Sequence, residues 1–187
     1  MAKSMLLSTE SPRLYKAFAR IFTSEDLEMA QEVYALVVAH GGNQEDYLHR
    51  ETGVTFNPRV SRVCEILIKE CAQKTFRIFA AAMASCAKGI SAELDCVDMK
   101  LVHEARAWDT KDGASQLSPE AEMIALAIKL DELRHLHMTT LDDTAKQAVY
   151  QDVTQRLLHC ISHDKSVRLK ELINAWADRF KRSLTIA

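Results

Sequence analysis

The sequence is poor in the residues that interrupt helices. Five glycines and three prolines punctuate all 187 positions. Stretches that alternate apolar with polar residues, as a half-buried strand requires, barely occur. Cysteine is present but unorganised: Cys64, Cys71, Cys86, Cys96 and Cys160 are scattered, odd in number and contain no CxxC pair. That pattern predicts reduced thiols in a cytoplasmic protein, not a disulfide framework or a structural zinc. No run approaches the roughly 18 apolar residues of a membrane span, and the start offers Lys3 but no apolar signal core, so no membrane partner is expected. Charge of one sign is missing as well. With 24 Lys and Arg against 26 Asp and Glu, the net charge of -2 gives no reason to expect a nucleic-acid or anionic-membrane partner.

What remains is a helical chain of ordinary globular composition, 48% hydrophobic and 27% charged, expected to form one all-α domain over 1–187 with about eight helices. Ser11-Pro12 opens the first predicted helix, to about Phe22. Thr23 or Ser24 caps the next, with Glu25, Asp26 and Glu28 in its first turn, and it ends at His40-Gly41-Gly42. A polar loop, Asn43 to Phe56, holds Tyr47, His49 and Arg50. Asn57-Pro58 then reads as a cap followed by a first-turn proline, with Val60, Val63, Cys64, Leu67 and Cys71 on one face. Lys74 to Lys88 is nearly uncharged and is expected to be buried on all sides. A helix over Asp95 to Trp108, a loop from Asp109 to Leu117, and helices starting at Ser118-Pro119, at Asp142 or Asp143 and at Asp164 complete the chain, the last ending near Arg182.

The helix after Ser118-Pro119 carries the anomaly. At about 100° per residue, Met123, Ile124, Leu126, Ala127, Ile128, Leu130, Leu133 and Met138 cover one wide face, and Asp131 falls near its middle. Arg134, His135 and His137 lie within the same arc, whereas Lys129 and Glu132 fall on the opposite side, where charges are solvated. A carboxylate on a core face needs a partner, so Asp131 is expected to be buried against a polar or cationic group, with Arg134 or a histidine leading.

Three strings resemble a known family in their order and spacing. Phe56-Asn57-Pro58, leading into Val63-Cys64-Glu65-Ile66-Leu67, resembles the helix start "Y-x-x-H-P…V…IL" of HD-domain phosphohydrolases. Ala80 to Gly89 resembles the "A-A-L-L-H-D-V-V-E-D" of the RelA/SpoT hydrolase domains, and Ala127 to His135 resembles their "I-K-L-A-D-R-L-H-N". Such domains remove pyrophosphate from guanosine tetra- and pentaphosphate. The resemblance spans roughly residues 25–141, leaving C-terminal helices over 142–183, and implies that Asn57, Ser85 and Asp131 converge on one cavity.

The departures from that pattern define the functional expectation. The first metal-binding histidine is replaced by Asn57, the His-Asp pair by Ser85-Cys86, and the assisting Glu-Asp pair falls at or near Gly89-Ile90. The last aspartate is Asp131 by helix face or Glu132 by gapless counting. Hard divalent cations need several oxygen or imidazole ligands, which this set does not supply. The resemblance therefore implies a degenerate HD fold without catalytic residues or cofactor. It would be a nucleotide-binding, small-molecule-binding or regulatory protein, open to homodimer formation. Pocket candidates are Asn57, Ser85, Cys86, Asp131, Arg134 and His135. The alternative is an active phosphohydrolase using a divalent metal such as manganese, with His49, His103, His135 or His137 as substitute ligands. Against these stand plain structural readings: Asp131 and Arg134 as an internal ion pair, His135 and His137 as core histidines, Ser85-Cys86 as small packing residues. His159 and His163, one turn apart beside Asp164, read as charge complementing a helix end more than as a metal site.

Overall fold

The structure, a computed structural model, describes residues 6–40, 59–87, 90, 95–110, 116–139, 141–160 and 163–185. Among these residues all regular structure is helical, in nine α-helices: α1 Leu6–Glu10, α2 Pro12–Ile21, α3 Ser24–Ala39, α4 Arg59–Cys71, α5 Phe76–Ser85, α6 Met99–Arg106, α7 Pro119–His135, α8 Asp143–Leu157 and α9 Val167–Thr185. None is long and apolar enough to cross a membrane. The chain divides into two compact units, Met1–His103 and Glu104–Ala187. The boundary falls inside α6, where no glycine, proline or polar linker marks it in the sequence.

In the first unit α5 packs against α3 and α4, and α1 and α2 cover α3. The expected all-round burial of the uncharged segment is present, since α5 is buried from Ile78 through Ala84. Its limits are tighter than the predicted 74–88, because Gln73 turns its side-chain carbonyl onto the backbone N–H groups of Lys74 (2.8 Å) and Thr75 (2.9 Å) and holds them outside the helix. Scarcity of glycine shows just before this turn: Ala72 ends α4 with φ 48°, the left-handed conformation that glycine usually supplies. An aromatic cluster joins α2 to α5, with Phe18 5.1 Å from Phe79 and Phe22 5.8 Å from Phe76.

Cap chemistry explains most starts and corrects others. Thr23 accepts from Asp26 N–H at 3.1 Å and fixes the start of α3 at Ser24. Ser11 precedes α2 as expected, but its hydroxyl meets Tyr34 Oη (3.0 Å) and Ser61 Oγ instead of capping, so it ties the start of α2 to α3 and α4. The helix predicted from Asp95 begins at Met99, because Asp98 accepts from Leu101 N–H at 3.0 Å, and a 3₁₀ turn over Ala107–Asp109 closes it. The short α1 has no predicted counterpart: five residues show no period, although Leu7 is fully buried. The Asn57-Pro58 start and the loop with Tyr47, His49 and Arg50 lie outside the described residues.

In the second unit α7 packs on α9, and α8 packs on α9. Ser118 caps α7 ahead of Pro119, and Asp142, one of the two expected candidates, caps α8 through Ala145 N–H at 2.7 Å. Tyr150 on α8 stacks on Phe180 of α9 with ring centroids 4.2 Å apart and donates to the Leu133 carbonyl of α7 at 3.1 Å. Arg156 donates to the Trp108 and Thr110 carbonyls, holding α8 on the 3₁₀ turn. Asp164 starts a 3₁₀ turn to Ser166, and α9 itself starts at Val167.

Candidate functional site

Asp131 is 1% exposed, as its place on the apolar arc of α7 requires. One turn later, His135 places Nδ1 2.8 Å from the Asp131 carbonyl oxygen and 3.3 Å from Oδ1. A carbonyl can only accept, so Nδ1 carries the hydrogen and donates. The His135 side chain is 29% exposed against 2% for Asp131. The Asp131 backbone carbonyl thus orients a part-exposed imidazole, with the buried carboxylate beside it, an arrangement suited to positioning a base, a ligand contact or a metal-binding nitrogen. Arg134 is half-buried on the same helix.

The other candidates sit elsewhere in the chain. Ser85 and Cys86 close α5 in the first unit, and both donate to their own helix: Ser85 Oγ to the Ala81 carbonyl at 2.7 Å, Cys86 Sγ to the Ala82 carbonyl at 3.3 Å. This is the usual recourse of small polar groups in a packed helix. Asn57 and Gly89 lie outside the described residues. Of the six pocket candidates, the described contacts bring Asp131 to His135 and leave Ser85 beside Cys86. Among the described residues no three His, Cys, Asp or Glu side chains are grouped to hold a metal ion.

Lys129 requires a correction. Sequence spacing puts it on the solvated side of α7, yet its side chain is only 13% exposed, held by Asp109 at 2.8 Å and Glu132 at 3.0 Å. Burial pulls its pKa down, but Glu132 and Asp109 outweigh that and leave it above the ordinary lysine value.

A second buried polar cluster lies near the start of α7. Glu122, 1% exposed in the first turns of α7, pairs with Lys170 Nζ at 3.0 Å and accepts from Ser166 Oγ, both through Oε1. Ser166 is fully buried, also donates to the His163 carbonyl at 2.9 Å, and immediately precedes α9. The carboxylate therefore sits against the start of α9, where the helix dipole favours negative charge. Its other oxygen is buried with no hydrogen-bond partner among the described residues. By helical spacing Glu122 lies about 180° from Asp131 and about 20° from Lys129, so periodicity assigns it to the polar side. A signal existed in Ser166 and Lys170, four residues apart around the start of the facing helix, but only their pairing with α7 gives it meaning. Nearby Cys160 has its thiol pushed up to about 11 by burial and by Glu122, against a lowering from Lys170.

No protein-family model, curated protein or solved structure matches the chain. The site's own chemistry has to carry the functional reading.

Proposed function

We propose that this chain is a catalytically degenerate HD-type domain that binds a small molecule, a nucleotide foremost, and acts through regulation or interaction instead of turnover. The observation that carries the reading is the behaviour of the two side chains at the His-Asp position. Ser85 and Cys86 direct their donors at carbonyls of their own helix, and neither is a hard ligand for a divalent cation. A hydrolase of this type needs an ion held by several ligands to lower the pKa of a bound water, and a base beside it. With Asn57 at the first ligand position and Gly89-Ile90 where two acids belong, Asp131 alone keeps a ligand's chemistry. Binding asks for less, namely shape and a few donors such as Arg134 and His135.

One observation favours the second reading, a metal-dependent phosphohydrolase. An imidazole held through Nδ1 by a backbone carbonyl, as His135 is by that of Asp131, is a common support for a metal-bound Nε2. Incubation of the purified protein with manganese and guanosine tetraphosphate separates the two. The expected result is stoichiometric binding in calorimetry without pyrophosphate release. Turnover of order one per second, abolished by Asp131→Ala, establishes the hydrolase instead. Absence of both binding and turnover removes the nucleotide reading.

A further inference from the structure

Helix α2 presents a row of exposed positive charge. Arg13, Lys16 and Arg20 are all exposed, and at 100° per residue they fall within about 60° of arc. They form a row about 10 Å long at 1.5 Å per residue. The helix, Pro-Arg-Leu-Tyr-Lys-Ala-Phe-Ala-Arg-Ile, contains no acidic residue. Among the described residues none of the three cations has an ion pair. Several cations elsewhere are compensated, such as Lys69 by Glu65, Arg77 by Asp98 and Arg156 by Asp152. The neighbouring exposed positions, Pro12 and Ala19, are compact and leave the row open to close approach.

We infer that this row on α2 is a contact surface for the phosphate backbone of a nucleic acid. A line of three cations is matched by a partner whose negative charges repeat along a line, and each nucleic-acid strand carries one about every 3.4 Å. Two of the three cations are arginines, whose forked guanidinium grips phosphate through paired hydrogen bonds. A lipid surface fits less well. The apolar side of α2 has nothing left to insert, because Leu14 and Phe18 are fully buried within the first unit. The near-zero net charge of the whole chain argues against a polyanionic partner only on average. It does not describe this helix, and the acids that balance the sum lie elsewhere in the sequence.

The test is titration of the full chain with a fluorescein-labelled, mixed-sequence DNA duplex at several salt concentrations. Three phosphate contacts predict a slope of log K against log salt of about -2.7, at about -0.9 per contact. Arg20→Gln should reduce the slope by about 0.9. The combined variant Arg13→Glu, Lys16→Glu and Arg20→Glu should abolish binding with an unchanged far-UV circular dichroism spectrum, since all three side chains are exposed. Binding that is absent at low salt, insensitive to the triple variant, or weaker than binding to phosphatidylserine vesicles overturns the inference.

Discussion

Helices α5 and α7 each contain a continuous buried run, Ile78 through Ala84 in one and Ala121 through Ala127 in the other. The first run is wholly apolar. The second includes Glu122, and α7 goes on to bury Asp131 as well. Alanines, an isoleucine, a phenylalanine and a methionine can be surrounded by anything of the right shape, so α5 needs only close packing. A buried carboxylate must be surrounded by particular groups, and α7 therefore depends on Ser166 and Lys170 at one end and His135 at the other. The same depth of burial is generic in one helix and specific in the other.

That contrast is most sharply tested at Glu122. Glu122→Ala leaves the Lys170 ammonium, whose side chain is 14% exposed, without its carboxylate and removes one of the two acceptors of fully buried Ser166. A loss of about 3–5 kcal/mol is expected, the range for breaking a buried pair from one side, and urea denaturation at constant m-value measures it. Replacing both partners, Glu122→Leu with Lys170→Met, should recover stability to within about 1 kcal/mol of the native chain, because an apolar pair of similar volume carries no desolvation cost. If the single variant costs under about 1 kcal/mol, or the double one is as unstable as the single, α7 is not held by this pair.

Asp131 should cost less to remove. Asp131→Ala keeps the backbone carbonyl that accepts from His135 and removes only the carboxylate 3.3 Å from the ring, so it is expected to destabilise by about 1–3 kcal/mol. Asp131→Asn keeps an acceptor oxygen in place and should fall below half of that loss. Equal losses for the two variants would mean that the negative charge, and not the hydrogen-bond geometry, is what the core requires.

The sequence discloses those parts of the fold that local chemistry decides. Thr23, Ser118 and Asp142 fix helix starts with their own side chains, so a reader of caps finds them without tertiary knowledge. Burial of α5 follows from composition, and burial of Asp131 from its place in an apolar arc. What escapes depends on contacts between distant segments. Ser11 looks like a cap and behaves as a bridge to Tyr34 and Ser61. Lys129 and Glu122 share the polar side of α7 by spacing, and both are drawn inward by partners that no helical wheel contains. The site reading was legible to the same extent. Asp131 and its histidine partner lie one turn apart and could be found, whereas the Glu122 cluster requires α9 to be docked on α7.

The smallest effect is a change of reactivity at Cys160, and it reads the charge of Glu122 directly. The Cys160 thiol is held at about 11, first by burial, then by Glu122, with Lys170 opposing. At pH 8 only about one thiol in a thousand is then ionised, and alkylation by iodoacetamide is slow. Glu122→Gln removes the negative neighbour and leaves the ammonium, so the thiolate fraction and the alkylation rate should rise severalfold. Lys170→Gln removes the opposing influence and should slow the reaction. Loosening of the fold would accelerate Cys160 in both variants, so opposite directions identify electrostatics. Cys71 serves as an internal reference: its thiol is also raised to about 11, by burial and by Glu70, in the first unit. Peptide-resolved mass spectrometry of the alkylated protein follows both cysteines in one experiment. A Cys160 rate that moves in parallel with Cys71, or that rises in both variants, would show that the Glu122 charge does not reach the thiol as the structure implies.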